Sequence, residues 1–518
     1  MSDSIAQPNY SRRVAILVGV VLLFRLIYAA LVPVNPAGDE AYYWDWGRQL
    51  DYGYFSKPPF IAWLYAFVDW IGGGSLFAIR ATAAIIGTAS ILVLYQLASS
   101  LFDQKIGWLT VVVGLAAPAY SVLSFFLTID APLVLCWSIA LWMFWRYLSG
   151  KGKTATLVVL FLALGVGHLS KQMMMIFPVF AILLLLLNRE THPFLKRPGL
   201  WLSLFGSYLA LAPPLIWNSQ NEWITFKHTG HHFQSGAEEA NVMLQRLEDF
   251  GSFLGSQLGA ISPMIGLTLF CVCLFGLKSI RSTSLPVRFL LVFGALPLAG
   301  MLLMALRQEL QPNWPAVFYV SCMTLTAGFY GGAVNFGFPP EKWRRWLKAG
   351  VIFGIALNCY FYFGSALFVA IGMPGHKADP NRRLMGHDKV AAGFESIRSS
   401  QPDAEDLFIV TYGHRYTTSQ MAFGLPDQPR VYRWEMYDTI TSQYELWTNP
   451  SQDGYDGKDG IILVPELDTF PAELEPAFTA VKKIGEFDVI FGYDREVHYS
   501  VFRGVELIEW PAGLPLPK

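Results

Sequence analysis

Residues 38–59 read GDEAYYWDWGRQLDYGYFSKPP, and what flanks them decides the fold. Before them runs VAILVGVVLLFRLIYAALVPV (residues 14–34), long enough to cross a bilayer, and after them long apolar runs recur. Between these, Asp39, Glu40, Asp45, Arg48, Asp51 and Lys57 sit among tyrosines and tryptophans, far more polar than their surroundings. Charge at membrane level is costly, so it faces a cavity or a partner.

Further runs of spanning length lie near 76–101, 106–124, 130–148, 155–169, 172–188, 199–217, 257–277, 287–306, 314–335 and 346–371, which with the first makes about eleven transmembrane helices. Composition agrees: of 518 residues 53% are hydrophobic and 15% charged, against about a quarter charged in soluble domains. The net charge of -1 gives no signal for nucleic acid. All five cysteines fall in apolar runs and read as small buried residues, without a disulfide framework. The first run follows Arg12 and Arg13 and ends without a small-residue cleavage site, as a retained span does. Residues 60–71 are too short to span and read as an interfacial helix.

Alternate loops carry the basic residues: Lys105; Arg146, Lys151 and Lys153; Arg189, Lys196 and Arg197; Lys278, Arg281 and Arg288; Lys342, Arg344, Arg345 and Lys348. Such loops stay in the cytoplasm. The expected fold is therefore a polytopic α-helical membrane domain over residues 1–372, with outer loops 35–75 and 218–256 and a cytoplasmic N-terminus. A soluble outer α/β domain follows over 373–518, with strands at 407–412, 460–465 and 488–494.

This topology puts four polar sites on the outer face: Asp39 with Glu40, Asp130, His168 with Lys171, and the segment from Arg307 to Asn313. A carboxylate in a partly apolar site can take a proton from a hydroxyl, and Lys or Arg can hold a phosphate oxyanion. Base plus clamp at a membrane surface suits group transfer from a lipid-linked phosphate donor. No P-loop and no G-x-G-x-x-G after a strand points to a nucleotide. His228, His231 and His232 have a spacing that could ligate metal with Glu222 or Glu238, but a solvated loop is favoured without H-E-x-x-H. His414, Arg415 and Tyr416 follow a strand and form either a binding loop or a polar turn. Tyr42, Tyr43, Trp44, Trp46, Tyr52 and Tyr54 serve either to stack on sugar or as an interfacial belt.

An ordered series carries a resemblance: the Asp-Glu pair after the first span, the aromatic stretch into Lys-Pro-Pro, then LTIDAPLVLCW, LGVGHLSKQMMMIFPVF and PNWPA, and later RRLMGHDKVA, YGHRYTTSQMAFGLP and SQYELW. It is similar to the GT-C glycosyltransferases, family 39 in particular, which include the protein O-mannosyltransferases and the lipid A aminoarabinose transferase, in their bacterial branch. The resemblance implies a bacterial inner-membrane enzyme with a periplasmic C-terminal domain. Its reaction would move a sugar from a polyprenyl phosphate to a glycolipid, glycan or protein hydroxyl by inversion. Asp39 would be the base or the carboxylate that orients the acceptor, with Asp130 and Glu40 as further catalytic acids. Lys57, Lys171, Arg48 and Arg415 would contact the donor phosphate. Tyr42, Tyr43, Tyr54, His168, His414 and Tyr416 would line the substrate site. The lipid A transferase pattern has Arg where this chain has Tyr42 and an acid where it has Ser56; Arg48 and Arg415 are the candidates to supply the missing guanidinium. A divalent metal stays an open alternative. The rival reading, a transporter or flippase of lipid-linked sugar, calls for an inverted repeat with broken helices, which the hydropathy lacks.

Overall fold

The computed structural model describes residues 9–32, 34–231, 242–337, 340–436 and 439–511. They gather into two compact units, one of Met1–Leu31, Arg80–Leu215 and Gly230–Cys359, the other of Val32–Ile79, Ile216–Thr229 and Tyr360–Lys518. Residue 372 marks a change in sequence character. Packing, in contrast, gathers the stretch around 38–59 with the C-terminal segment.

The chain is a polytopic helical membrane protein. Among the described residues, six helices are long and apolar enough to cross a membrane: Tyr10–Leu31, Leu76–Leu101, Asp130–Leu148, Pro198–Gln220, Leu285–Ala305 and Trp343–Ala370. Helices Leu244–Ile261 and Pro263–Lys278 make a seventh span if taken as one, although they meet at 108°. Four more of the expected spans fall on shorter apolar helices, of 10–17 residues where unbroken. Two breaks account for much of the difference. Ala117 is extended before Pro118, which divides the run at 106–124. Ser262, at φ 79° before Pro263, turns the chain inside what reads as one span at 257–277. That expectation is corrected: the run joins two helices.

The helical unit has an aromatic core. Phe293 lies 4.8 Å from Phe177 and 5.1 Å from Phe289, and Trp137 lies 5.1 Å from Phe177, all by ring centroid. Two buried arginines inside apolar helices are answered locally. Arg25 reaches Ser121 and the Tyr120 ring face, and Arg80 donates to the Phe125 carbonyl at 3.0 Å beneath two phenyl rings.

In the other unit we label α1 (Gly38–Arg48), α2 (Phe60–Gly72), α3 (His387–Arg398) and α4 (Arg415–Gly424), with β1 (Phe408–Tyr412), β2 (Val431–Trp434), β3 (Gly460–Pro465), β4 (Phe478–Gly492) and β5 (Arg495–Leu507). The sheet order is β2-β1-β3-β5-β4; β1 runs parallel to β2 and β3, and β5 is antiparallel to β3 and β4. β1 (FIVTY) and β3 (GIILVP) are nearly continuous apolar runs because both faces are covered. The β4–β5 pair alternates with exposed charge, so β5 gives no apolar run to read. The 488–494 run is the end of the longer β4. The crossover from β1 through α4 to β2 brings the α4 N-terminus to the carboxyl end of β1, where sheets of this kind bind ligands. Gly413, at φ 105°, makes that turn.

Candidate active site

In the sheet unit, the first turn of α1 meets the first turn of α4. Asp39 Oδ1 accepts a 2.8 Å hydrogen bond from the Tyr416 hydroxyl. The ring of Tyr416 lies so close to Gly38 that a Cβ there would stand 2.5 Å from it, so only glycine permits the approach. The pKa of Tyr416 is pushed up to about 12 by burial and then by the Asp39 carboxylate, which keeps the phenol a donor. Asp39 at the α1 N-terminus also lies where the helix dipole favours negative charge.

Arg415 completes the cluster. Its guanidinium lies 5.4 Å from the Tyr42 ring centre and 5.1 Å from that of Tyr416. Burial pulls its pKa down, but the Tyr42 and Tyr416 phenols and Asp39 outweigh this and leave it raised. Its buried Nε has no hydrogen-bond partner among the described residues. A charged donor left unanswered in a buried position costs free energy until a ligand meets it. Of the two arginines named as candidates for the guanidinium missing at Tyr42, Arg415 is the one present in this cluster. Arg48 is not: it donates to the Gln428 and Pro429 carbonyls, pairs with Asp45 and covers the Trp44 ring.

Other expected site residues serve to hold this arrangement. Glu40 is fully buried and its Oε2 accepts from the Ala37 amide at 2.9 Å, closing the start of α1. Tyr42 accepts at its hydroxyl from the Gln443 amide at 2.6 Å, and burial raises its pKa. Tyr54 donates to the Gln49 or Trp46 carbonyl and stacks on Trp46, while buried Tyr43 makes edge contact with Trp46. His414 caps α4 by accepting from the Tyr416 amide at 3.3 Å. Burial, then Arg415 and Arg433, lower its pKa, which keeps the acceptor nitrogen free of a proton. Lys57 is half-buried on the segment leading into α2. Glu40, expected as a catalytic acid, and Tyr43 and Tyr54, expected as substrate contacts, thus make contacts within the protein.

The helical unit holds a second cluster. Lys171 Nζ lies 2.7 Å from Asp130 Oδ1, both buried, and Asn313 Nδ2 donates to Asp130 Oδ2 at 2.6 Å. Sequence reading treats Asp130 and Lys171 as separate acid and phosphate contacts; they are a buried ion pair. His168 stands apart, fully buried against Ser207 and stacked on Tyr208, because it lies in the last turn of its helix rather than in an open loop.

For metal, the one group of three His or carboxylate ligands close enough to share an ion, among the described residues, is exposed Asp468 and Glu486 with half-buried His498. Lys483 already lies against both carboxylates. His228 packs on Phe55, while the His231 side chain, His232 and Glu238 lie outside the described residues. Reading the sequence missed Gln443 and Tyr444, which grip α1: the Tyr444 hydroxyl donates to Asp45 Oδ2 at 2.7 Å. Their signal is only the SQYELW run.

Residues 56–217 match the dolichyl-phosphate-mannose-protein mannosyltransferase family. The lipid A galacturonosyltransferase RgtD of Rhizobium johnstonii is 29% identical over 290 residues, a stretch that is 55% of this chain and 58% of that relative. The crystal structures of ArnT from Cupriavidus metallidurans, apo and bound to undecaprenyl phosphate, each superpose with a TM-score of 0.62 at 16% identity. They cover 98% and 97% of this chain and 100% and 99% of theirs. Over nearly its whole length the chain has the fold of ArnT, and within its membrane half it is similar to the dolichyl-phosphate-mannose-protein mannosyltransferase family.

Proposed function

We propose that the protein is an integral inner-membrane glycosyltransferase that moves a sugar from a polyprenyl phosphate to a lipid-borne glycan acceptor, with its sheet unit in the periplasm. The observation that carries the reading is the pairing, in one cluster, of a carboxylate with one oxygen unengaged among the described residues (Asp39) and a half-buried cation whose buried Nε has no partner among them (Arg415). RgtD and undecaprenyl-phosphate-bound ArnT supply the chemical class of donor and acceptor.

Asp39 takes the proton of the acceptor hydroxyl as its oxygen attacks the anomeric carbon. The bond from that carbon to the phosphate oxygen breaks, and polyprenyl phosphate leaves with both electrons. Arg415 and Lys57 stabilise the charge that grows on the leaving phosphate. A single in-line displacement inverts the anomeric centre and requires base and phosphate on opposite sides of the sugar.

The test uses purified full-length protein in lipid, an undecaprenyl-phosphate sugar and a lipid A acceptor, with release of undecaprenyl phosphate as readout. Asp39→Asn is expected to lower turnover about 100-fold or more at an unchanged thermal midpoint. Arg415→Lys, which keeps the charge and loses the fork, is expected to weaken donor binding. Full turnover in folded Asp39→Asn would remove the base assignment.

A further inference from the structure

The loop that grips α1 has a second side. Its residues Gln443 and Tyr444 hold Tyr42 and Asp45, and Trp447 follows them at a cleft of about 510 Å³ shared with the carboxyl end of β2. Three half-buried tryptophans line this cleft: Trp434 ends β2, Trp447 stands edge-on against Tyr444, and Trp510 closes from the C-terminal segment. None of the three indole N–H groups has a hydrogen-bond partner among the described residues. A half-buried indole with an unused donor is an unfinished contact, since its ring is apolar and its N–H polar; Trp434 already stacks on Tyr412.

The walls are fixed in advance. Arg433 is buried between Glu435 and Glu445 and donates to the Gly413 carbonyl, while Arg430 donates to Thr448 and pairs with Asp453. Both cations are therefore neutralised by protein acids. Glu473, exposed at the rim, has no such partner among the described residues, so the cleft is left with negative charge.

From this geometry we infer that the cleft binds a saccharide: a neutral or amine-bearing pyranose, which presents an apolar C–H face to tryptophan and a rim of hydroxyls to indole N–H and carboxylate. A phosphorylated or uronic sugar does not suit it, because Glu473 repels it and no free cation among the described lining residues answers it. A volume of this size is that of a small-ligand site, and rigid walls reduce the ordering cost of binding. Since the same loop holds the helix that carries Asp39, the bound sugar belongs to the acceptor; this last step alone rests on the transferase reading.

The experiment is saturation-transfer NMR and calorimetry on the full-length protein in nanodiscs, with no donor present. The probes are the methyl glycosides of glucose, galactose and mannose, together with glucosamine and glucose 6-phosphate. Saturable binding of a neutral or amino sugar is expected. Trp447→Ala and, independently, Trp510→Ala are expected to weaken it about tenfold or more, with Trp447→Phe intermediate. No saturable binding by any neutral or amino probe, affinity unchanged in both alanine variants, or tighter binding of glucose 6-phosphate would each overturn the inference. Donor turnover is read separately, so loss of the transferase reading leaves the binding result standing.

Discussion

Gly38→Ala adds one methyl group where the Tyr416 ring lies on the start of α1. The new Cβ would stand 2.5, 2.6 and 2.8 Å from three ring carbons, whereas ordinary contact begins at 3.4 Å. The ring must therefore retreat by the 0.9 Å between 2.5 and 3.4 Å, or α1 must move by as much. Either shift breaks the 2.8 Å bond that orients Asp39. In an open helix, alanine would be favoured over glycine by about 1 kcal/mol. Here overpacking costs about 1–3 kcal/mol, and a hydrogen bond to a charged group worth about 1.5–3 kcal/mol is lost. The clash outweighs the propensity gain, and a net destabilisation of about 1.5–5 kcal/mol is expected. A displacement near 1 Å at the base is expected to lower turnover about 100-fold with little change in donor KM. Thermal unfolding in detergent and the undecaprenyl phosphate release assay read the two effects. Gly38→Ala/Tyr416→Ala is expected to be no less stable than Tyr416→Ala alone, because the methyl then has room. A Gly38→Ala protein of equal or greater stability with full turnover would refute the reasoning.

Asp130→Asn or Lys171→Met alone is expected to destabilise by about 3–5 kcal/mol, since each leaves a buried charge unmatched. The double variant should lose less than the sum, and additive losses in denaturation would show that the pair is not coupled. For His414, burial and the nearby Arg415 and Arg433 hold the folded pKa below its ordinary 6.5. The unfolded chain takes up a proton that the folded one refuses, so this stability is present above pH 6.5 and is lost as pH falls toward the lowered folded value. His414→Asn keeps an N-cap acceptor and should flatten that acid limb; midpoints from about pH 8 to about pH 5 test it, and an unchanged limb would refute it.

Hydropathy made most of the helices legible, because spanning lipid leaves a long apolar run whatever the tertiary contacts. Its failures were local: a serine at positive φ before Pro263 turns the chain without interrupting apolar composition, and residues 257–277 read as one span. Asp39 could be singled out as a candidate because a carboxylate beside a span needs a reason to be there. Arg415 was named but could not be chosen over Arg48, because only tertiary contact shows that Arg48 is held by the Gln428 and Pro429 carbonyls. Asp130 and Lys171 were read singly, since 41 residues of separation hide an ion pair. The tryptophan cleft gave no signal at all: Trp434, Trp447 and Trp510 are ordinary aromatics until β2, a loop and the C-terminal segment meet.

The grip of residues 443 and 444 on α1 also sets an order of events during synthesis. Tyr42 and Asp45 leave the ribosome long before their partners, which lie 401 and 399 residues further on, and Tyr416 follows Asp39 by 377. Contacts so distant in sequence form late. A nascent chain therefore carries the Asp39 carboxylate without the groups that hold its helix until residue 444 has emerged.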